Sequence, residues 1–424
     1  MRKAVGSVLC ALLAAVAFGS SDDGCPFPAF SKARAITGGP HEHFLASYYG
    51  VNAWSPDGRY VLVLETDVNG RLPKPEEKAT LGIVDLHGDN RFIPVAETTC
   101  WNFQEGTMAH WLPSEPDSLV YNALRDGVFV AVVVNWRTGA ERVLPWPVSA
   151  VSPDGTKAVS INYARMRLTR PDYGYAGSGQ PERADVTFPE DDGLFLVDLK
   201  TGEEKLIVSI AAVKDRVPTV KPVSGKPGSP LSYFCHTVFS QDGGRIFWLS
   251  RSVDWYDRKT YEHACWHTTA FTCNVDGTSV RRCFPDGWGS SHFNWKDDKT
   301  MVVTTCFRGV RWTHVEFTVG EEDRVRRLGS GLMDWDGHCF YSPDGRFMVS
   351  DSDGMCGDLH ERFVAIMRMS DGAVRSIGTF SVPPAYRGEH WRCDLHGRFR
   401  ADGRQLAFNS VHDGSRQVYV MDVE

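Results

Sequence analysis

One short pattern recurs seven times along the chain: a strand, a tight turn close to Ser-Pro-Asp-Gly, and a second apolar strand. The copies begin at Trp54, Trp111, Val151, Phe239, Trp295, Tyr341 and Phe399. Most copies are followed by a third strand and then a fourth. Four-stranded units repeated about every forty to ninety residues are typical of a β-propeller, whose twisted sheets pack face to face around an axis. The pattern therefore predicts an all-β fold, a seven-bladed β-propeller.

The two ends of the chain indicate how such a ring closes. The seventh copy stops at Glu424 after its third strand, and the segment from about Pro26 to Gly39 is expected to supply the fourth. This exchange would leave no free sheet edge, whereas the alternative, an open array of sandwiches, would expose long apolar edges. We expect residues 21–424 to form a single propeller domain, with its core divided between the blades.

The first twenty residues predict export. Arg2 and Lys3 precede an apolar stretch from about Ala4 to Phe18 with small residues near its end, the pattern of a secretory signal peptide. The stretch is shorter than a typical membrane span, so no transmembrane segment is expected. We therefore predict a signal peptide over residues 1–20 and a periplasmic or extracellular protein. A formal net charge of -7 without a basic stripe argues against nucleic acid as a partner. The sequence leaves the oligomeric state open.

Histidine occupies one register in four successive copies, four residues ahead of the serine position of the turn. These residues are His236, His292, His338 and His396. The first strand of each propeller blade lines the central channel, so one register brings the four imidazoles to one level around one axis. Any one of them alone is better explained as a hydrogen-bonded strand histidine, but the set favours a divalent transition-metal site.

Asp394 would add an oxygen ligand to this site, because it lies two residues before His396 and on the same side of the strand. The predicted metal ligands are therefore His292, His338, Asp394 and His396. Histidines with a carboxylate suit manganese, iron, nickel or zinc, whereas calcium prefers a mostly oxygen ligand set.

Long loops over the same mouth of the channel predict a substrate site. The third and fourth copies carry insertions rich in arginine and aromatic residues, and such loops are where propellers place binding groups. Aromatic rings stack on sugars, and arginines form forks with carboxylates. The predicted substrate-binding residues are Gln104, His110, Tyr173 and Tyr175, with Arg392 or Arg165 holding a substrate carboxylate. Each arginine taken singly also fits solvated loop charge.

Several segments resemble a known family. The W-S-P-D-G-R repeats are similar to those of TolB-like propellers, and the segments SHFNW, GHCFYSPDG and RCDLHGRF resemble the oligogalacturonate lyases, which are periplasmic or secreted seven-bladed propellers. The resemblance implies a manganese-type metal held by histidines and a glutamine, and β-elimination of short 4-linked uronides with a histidine and an arginine in catalysis. His292 and His396 resemble metal histidines of that family. Asp394 stands at another histidine position and Trp391 at the glutamine position, so the ligand set differs.

Taken together, these residues predict a secreted metal-dependent lyase that cleaves uronic-acid-containing oligo- or polysaccharides by β-elimination. His236 is the predicted base, although His236 and His338 could exchange roles. Two alternatives stay open: a metal-dependent enzyme acting on another sugar by elimination from an oxidised glycoside or by isomerisation, and a non-catalytic TolB-like binding propeller. Paired acids suited to hydrolysis do not share a register, and no G-x-S-x-G motif is present.

Overall fold

The computed structural model describes residues 25–424, apart from 178, 227, 286, 322–323 and 353–359. These residues form seven four-stranded antiparallel sheets, which confirms the predicted seven-bladed propeller. The signal-like residues 1–20 lie outside the described residues.

Blades 1 to 6 each take four strands from one continuous stretch of chain. Blade 1 contains Glu42–Leu45, Tyr60–Thr66, Ala79–Asp85 and Arg91–Thr98, and blade 2 contains His110–Trp111, Ser118–Arg125, Val128–Asn135 and Glu141–Leu144. Blade 3 contains Ala150–Val151, Lys157–Ser160, Gly193–Asp198 and Glu204–Ser209, and blade 4 contains Leu231–Phe239, Arg245–Val253, His267–Asn274 and Arg281–Arg282. Blade 5 contains Ser290–Trp295, Thr300–Phe307, Val310–Thr318 and Val325–Arg327, and blade 6 contains Cys339–Tyr341, Phe347–Asp351, Glu361–Arg368 and Val374–Ser381. Blade 7 contains Arg398–Phe399, Gln405–Ser410, Gln417–Asp422 and the N-terminal strand Arg34–Ala35.

The serine and aspartate of the repeated turn hold its backbone in place. In blade 1 the Ser55 hydroxyl donates to Asp57 and accepts from the backbone N–H of Tyr60 at 2.9 Å. The same two bonds recur in three further blades, at Ser152, Ser240 and Ser342. The glycine after the aspartate is left-handed, with a φ of 69° at Gly58, a conformation that glycine adopts without a steric penalty. The turn is therefore fixed by local chemistry, which is why its copies are visible in the sequence.

Three tryptophans tie neighbouring blades together. Each indole N–H donates to a backbone carbonyl of the preceding blade, from Trp54 to Arg398 at 3.2 Å, Trp111 to Ala53 at 3.1 Å and Trp295 to Val238 at 3.5 Å. The rings lie between the sheets, where they combine a large apolar surface with one satisfied donor. The repeated aromatic position before the turn therefore stabilises the packing between blades.

The N-terminal segment completes blade 7, as predicted. Arg34–Ala35 pairs antiparallel with Gln417–Asp422. The next residue, Ile36, is buried, and its N–H donates to the Val418 carbonyl at 2.8 Å. The pairing covers the outer edge of the last blade and fastens the start of the propeller to its end.

Two insertions join the second and third strands of blades 3 and 4. The first spans residues 161–192 and contains the helix Tyr163–Arg167, and the second contains a two-stranded sheet of Trp255–Tyr256 and His263–Ala264. Within the described part of the chain, the 3-10 helices are Ala211–Arg216, Gly329–Gly331 and Pro384–Tyr386. Among the described residues, we find no helix with the length and apolarity needed to cross a membrane. Because the insertions follow second strands, they lie at the mouth where the first strands begin.

Because Ile36 belongs to the segment that closes the ring, breaking its pairing should lower the free energy of unfolding. Ile36→Pro removes the N–H that binds Val418 and part of the buried side chain, so we expect the free energy of unfolding to fall by about 2–4 kcal/mol. Ile36→Val keeps the N–H and is expected to cost about 1 kcal/mol. Urea unfolding followed by circular dichroism measures both variants. Equal losses in the two would show that this strand pairing does not stabilise the ring.

Candidate functional site

Irregular backbone in or just before the inner strands positions three of the four predicted histidines. His236 and His396 have positive φ values of 53° and 50°. The pairing of first and second strands also shifts register around His236 and His292. A left-handed non-glycine residue is uncommon, and a bulge re-aims the side chain that it carries. All four imidazoles are buried in the interior of the ring.

His338, Asp394 and His396 form a compact buried cluster. One ligand atom from each lies within 4.8 Å of the others, and the Nε2 atoms of the two histidines are 3.1 Å apart. Asp394 Oδ1 is buried without a hydrogen-bond partner, and its ion-pair contact, with Nε of buried Arg362, is at 3.6 Å. Two imidazole nitrogens and an unsatisfied carboxylate oxygen are a donor set that a divalent transition metal satisfies. The residues present therefore fit a metal ion.

His292 adjoins this cluster without joining it. Its ring centroid lies 3.9 Å from that of His338, but its ligand atoms are not among those that converge. Its Nδ1 lies 2.8 Å from Asp336, which also accepts from the Thr304 hydroxyl at 2.7 Å. The structure thus brings three of the four predicted ligands together and places the fourth against them.

Asp351 orients both histidines of the cluster. One oxygen accepts from the backbone N–H of His338 and lies 2.8 Å from its Nδ1, and the other accepts from the backbone N–H of His396 at 2.9 Å. An acceptor at Nδ1 keeps the proton on that nitrogen and leaves the Nε2 lone pair for a ligand. Burial raises the pKa of Asp351 to about 6, so the carboxylate is ionised at neutral pH. The sequence reasoning missed both acids: Asp336 lies two residues before His338, the same spacing that singled out Asp394, whereas Asp351 lies on the next strand, outside the register of the histidines.

His236 lies on the other side of Tyr48 from the cluster. The Tyr48 ring stacks on His236 with centroids 4.7 Å apart and meets His396 edge-on at 5.5 Å. His236 Nδ1 lies 3.1 Å from Glu105 Oε1, and its Nε2 lies 3.3 Å from Nη1 of Arg251. A guanidinium only donates, so Nε2 must carry the lone pair and Nδ1 the proton. Burial, reinforced by Arg251, holds the pKa of His236 well below its usual range, and the imidazole is neutral.

Arg251 is a buried arginine with unused donors. Its guanidinium lies over the Trp266 ring at 5.2 Å, and its Nε has no hydrogen-bond partner. Among the described residues, no carboxylate forms an ion pair with it. A buried cation of this kind favours an incoming anion. The sequence reasoning did not single out Arg251, which follows the apolar run at residues 246–249 and stands between Ser250 and Ser252.

Arg392 contacts both the cluster and two of the predicted substrate-binding residues. Its Nε donates to Asp394 at 2.8 Å, and its Nη2 lies 3.4 Å from both the Gln104 amide oxygen and the Tyr173 hydroxyl. Buried Asp172 also pairs with Arg392, at 3.5 Å. Three predicted site residues, Gln104, Tyr173 and Arg392, therefore meet at the candidate centre.

Three other predicted residues lie apart from the cluster. All five N–H groups of Arg165 donate to backbone carbonyls between residues 182 and 232, so Arg165 has no donor left for a substrate carboxylate, contrary to expectation. Tyr175 stacks on Tyr163, and its hydroxyl accepts from Asn122, so it packs the fold instead of facing the mouth. His110 lines a cavity at the mouth of the channel opposite the insertions, and burial lowers its pKa to about 3.

Comparison with known proteins supports the fold. No family model and no curated protein matches the sequence. An oligogalacturonate lyase in complex with manganese aligns with a TM-score of 0.62 and 16% identity, over 94% of this chain and 97% of that one. The oligogalacturonate lyase of Vibrio parahaemolyticus gives a TM-score of 0.61 and 15% identity with the same coverage. The chain therefore shares their seven-bladed fold, as the resemblance predicted.

The role of Asp351 predicts a large effect from a small change. Asp351→Asn replaces an acceptor oxygen by an N–H₂ group and leaves a buried donor of His338 or His396 unsatisfied, so we expect a loss of about 2–4 kcal/mol in the free energy of unfolding. Asp215→Asn, at an exposed position, should stay within about 0.5 kcal/mol of the unchanged protein. Urea unfolding in the presence of EDTA measures both. A loss no larger than that of the control would show that Asp351 does not hold the histidines.

Proposed function

We propose that this protein is a metal-dependent lyase that cleaves uronic-acid-containing oligo- or polysaccharides by β-elimination. The observation that carries the proposal is the buried metal-type cluster of His338, Asp394 and His396. Beside it lie neutral His236 and Arg251, whose guanidinium contacts His236 and has no acid partner among the described residues. Likeness in fold to an oligogalacturonate lyase in complex with manganese supports both the reaction and manganese as the metal. Zinc, iron and nickel are the alternatives, and calcium is less suited because two of the three ligands are nitrogens.

The cluster and Arg251 act on the carboxylate of the uronate. Arg251 binds it through donors that have no acid partner among the described residues. A divalent cation held by His338, Asp394 and His396 would supply Lewis-acid stabilisation of the charge that develops when the neighbouring C5 loses its proton. Arg392 keeps Asp394 in place through their 2.8 Å bond. Arg251 and the metal site would thus both stabilise the negative charge of the substrate, and such electrostatic interactions are strong in a buried site.

His236 is the base in this proposal. Its Nε2 lone pair faces Arg251, and a substrate carboxylate that attracts the Arg251 donors frees that lone pair for the C5 proton. The low pKa of His236 keeps it unprotonated at neutral pH, as a base must be. The electron pair of the C5–H bond forms the C4–C5 double bond, and the oxygen on C4 leaves. Export through the signal-like residues 1–20 would place this activity in the periplasm or outside the cell.

Lyase activity is tested on a panel of oligouronides. Protein treated with EDTA is assayed before and after Mn²⁺ is restored, by the ultraviolet absorbance of unsaturated uronates. We expect product only with the metal. Bound metal without turnover on any uronide would favour a reaction on another sugar. Absence of both metal and turnover would favour a non-catalytic binding propeller.

Loss of a ligand should remove the metal. Asp394→Asn and His396→Ala are expected to weaken Mn²⁺ binding by more than about 100-fold and to abolish the rise in Tm that a bound ligand produces. His412→Ala removes a histidine of blade 7 that lies outside the cluster, and this variant should keep both Mn²⁺ binding and the rise in Tm. Elemental analysis and thermal unfolding with and without Mn²⁺ measure the effect. Unchanged metal content in the ligand variants would refute the assigned cluster.

Arg251→Lys tests the carboxylate contact. Lysine keeps the charge but loses the fork, so kcat/KM on a short oligouronide should fall about 10- to 100-fold, mainly through KM, equivalent to the loss of one charged hydrogen bond of about 1.5–3 kcal/mol. Arg258→Lys alters an exposed arginine paired with Glu182 and should leave both constants unchanged. Steady-state kinetics distinguishes the two variants. Normal kinetics in Arg251→Lys would exclude Arg251 from substrate binding.

A further inference from the structure

We infer that Glu105 is a positioning residue for His236. Glu105 fixes the proton of His236 on Nδ1, and it exchanges its own proton with water in the cavity at the mouth of the channel opposite the insertions. The kinetic consequences rest on the proposed function, whereas the hydrogen bond itself is testable without substrate.

Glu105 and His236 face each other in the interior. Glu105 Oε1 lies 3.1 Å from His236 Nδ1, and the side chains are 3% and 1% exposed. The backbone N–H of Glu105 donates to the Asn102 side chain at 2.7 Å, and Asn102 in turn donates to the carbonyl of Tyr173 at 2.8 Å. These bonds anchor the turn that carries Glu105 and hold its carboxyl group against the imidazole.

The surroundings of the pair explain why His236 needs this partner. Arg251 adjoins Nε2, and Arg170 and His292 add positive field around the ring. Asp172 also lies near the pair, but it is bound to Arg170 at 2.6 Å. A proton taken up on Nε2 creates a buried imidazolium, which is costly without compensation.

Glu105 provides that compensation from the side away from Arg251. Burial, with Asp172 adding, raises the pKa of Glu105 to about 8, against the opposing influence of Arg251 and Arg170. The neighbouring phenols of Tyr48 and Tyr163 are buried, and burial raises their pKa well above the usual range, so they stay neutral. Glu105 therefore holds a proton at neutral pH and can release it as His236 gains one. The charge of the coupled pair is unchanged by this exchange.

A cavity of about 470 Å³ gives Glu105 a route to bulk water. It is lined by Glu105, His236, Tyr48 and His110 and by turns at the mouth opposite the insertions. The proton on C5 passes to Nε2 while Glu105 gives its proton to water in this cavity. When His236 later passes its proton to the leaving oxygen of C4, Glu105 takes one back from the cavity. Every proton is accounted for, and the pair returns to its starting state.

Glu105→Gln tests the exchange, because it keeps an acceptor oxygen for Nδ1–H but has no ionisable group. We expect kcat to fall by about 10²- to 10⁴-fold with KM nearly unchanged. The pH profile of kcat should also lose the transition that follows the Glu105 pKa of about 8. Glu105→Asp should recover part of kcat. Glu65→Gln alters a carboxylate 3.0 Å from His43, outside the site, and should change nothing. An unchanged kcat and pH profile in Glu105→Gln would overturn the inference.

Chemical rescue tests the route through the cavity. In Glu105→Ala, added formate should restore kcat in proportion to its concentration, because a small carboxylate can enter the cavity and replace the lost group. Chloride at the same concentration serves as the control for ionic strength. A folded Glu105→Ala variant that formate does not rescue would argue against exchange through this cavity.

Nitrogen NMR of histidine-labelled protein separates this inference from the proposed function. Without substrate, His236 should show the Nδ1–H tautomer with a low-field proton that is lost in Glu105→Ala and kept in Glu65→Gln. The Nε2–H tautomer in the unchanged protein would overturn the inference whatever the enzyme does. If His236 shows the expected tautomer but the protein cleaves no uronide, the pairing of Glu105 with His236 would stand and the proposed lyase activity would be rejected.

Discussion

Closure of the ring is the constraint on which the candidate site depends. The inner strands of blades 4 to 7 bring their histidines to one axis only if blade 7 stays fixed beside blade 1. The pairing of Arg34–Ala35 with Gln417–Asp422 covers the outer edge of blade 7. At the channel, buried Arg398 donates to the carbonyls of Val51 and His396, both at 2.6 Å, and so joins blade 1 to the backbone of a candidate ligand.

A second theme is the pairing of three of the four inner imidazoles with a buried carboxyl group. His292 pairs with Asp336, His338 with Asp351 and His236 with Glu105, each through Nδ1, at 2.8, 2.8 and 3.1 Å. At His338 and His236 this leaves the Nε2 lone pair for a metal or a proton. A shared orientation thus supports two different roles: in the proposed function the pair with Asp351 prepares a ligand, and the pair with Glu105 prepares a base.

Some of this arrangement was predictable from residue spacing and some was not. The turn sequence recurs because its hydrogen bonds are local, and the histidine register follows from the period of a strand. Arg165 illustrates the limit: its position in a loop over the mouth suggested substrate binding, but its guanidinium is enclosed by backbone carbonyls from residues up to 67 positions away. Arg251 was missed for the converse reason, since only the folded chain shows that none of the described carboxylates pairs with it.

The sequence by itself determined the seven blades, the donation of an N-terminal strand and the set of histidines at one register, because turns and strand periodicity are properties of neighbouring residues. The tertiary structure decided which side chains meet: Asp394 with His338, Glu105 with His236, and Gln104 with Arg392, the last 288 positions apart. It also decided that His292 stands beside the cluster instead of within it. These contacts depend on how different blades pack around the axis, and that packing sets distances between residues that no local spacing records.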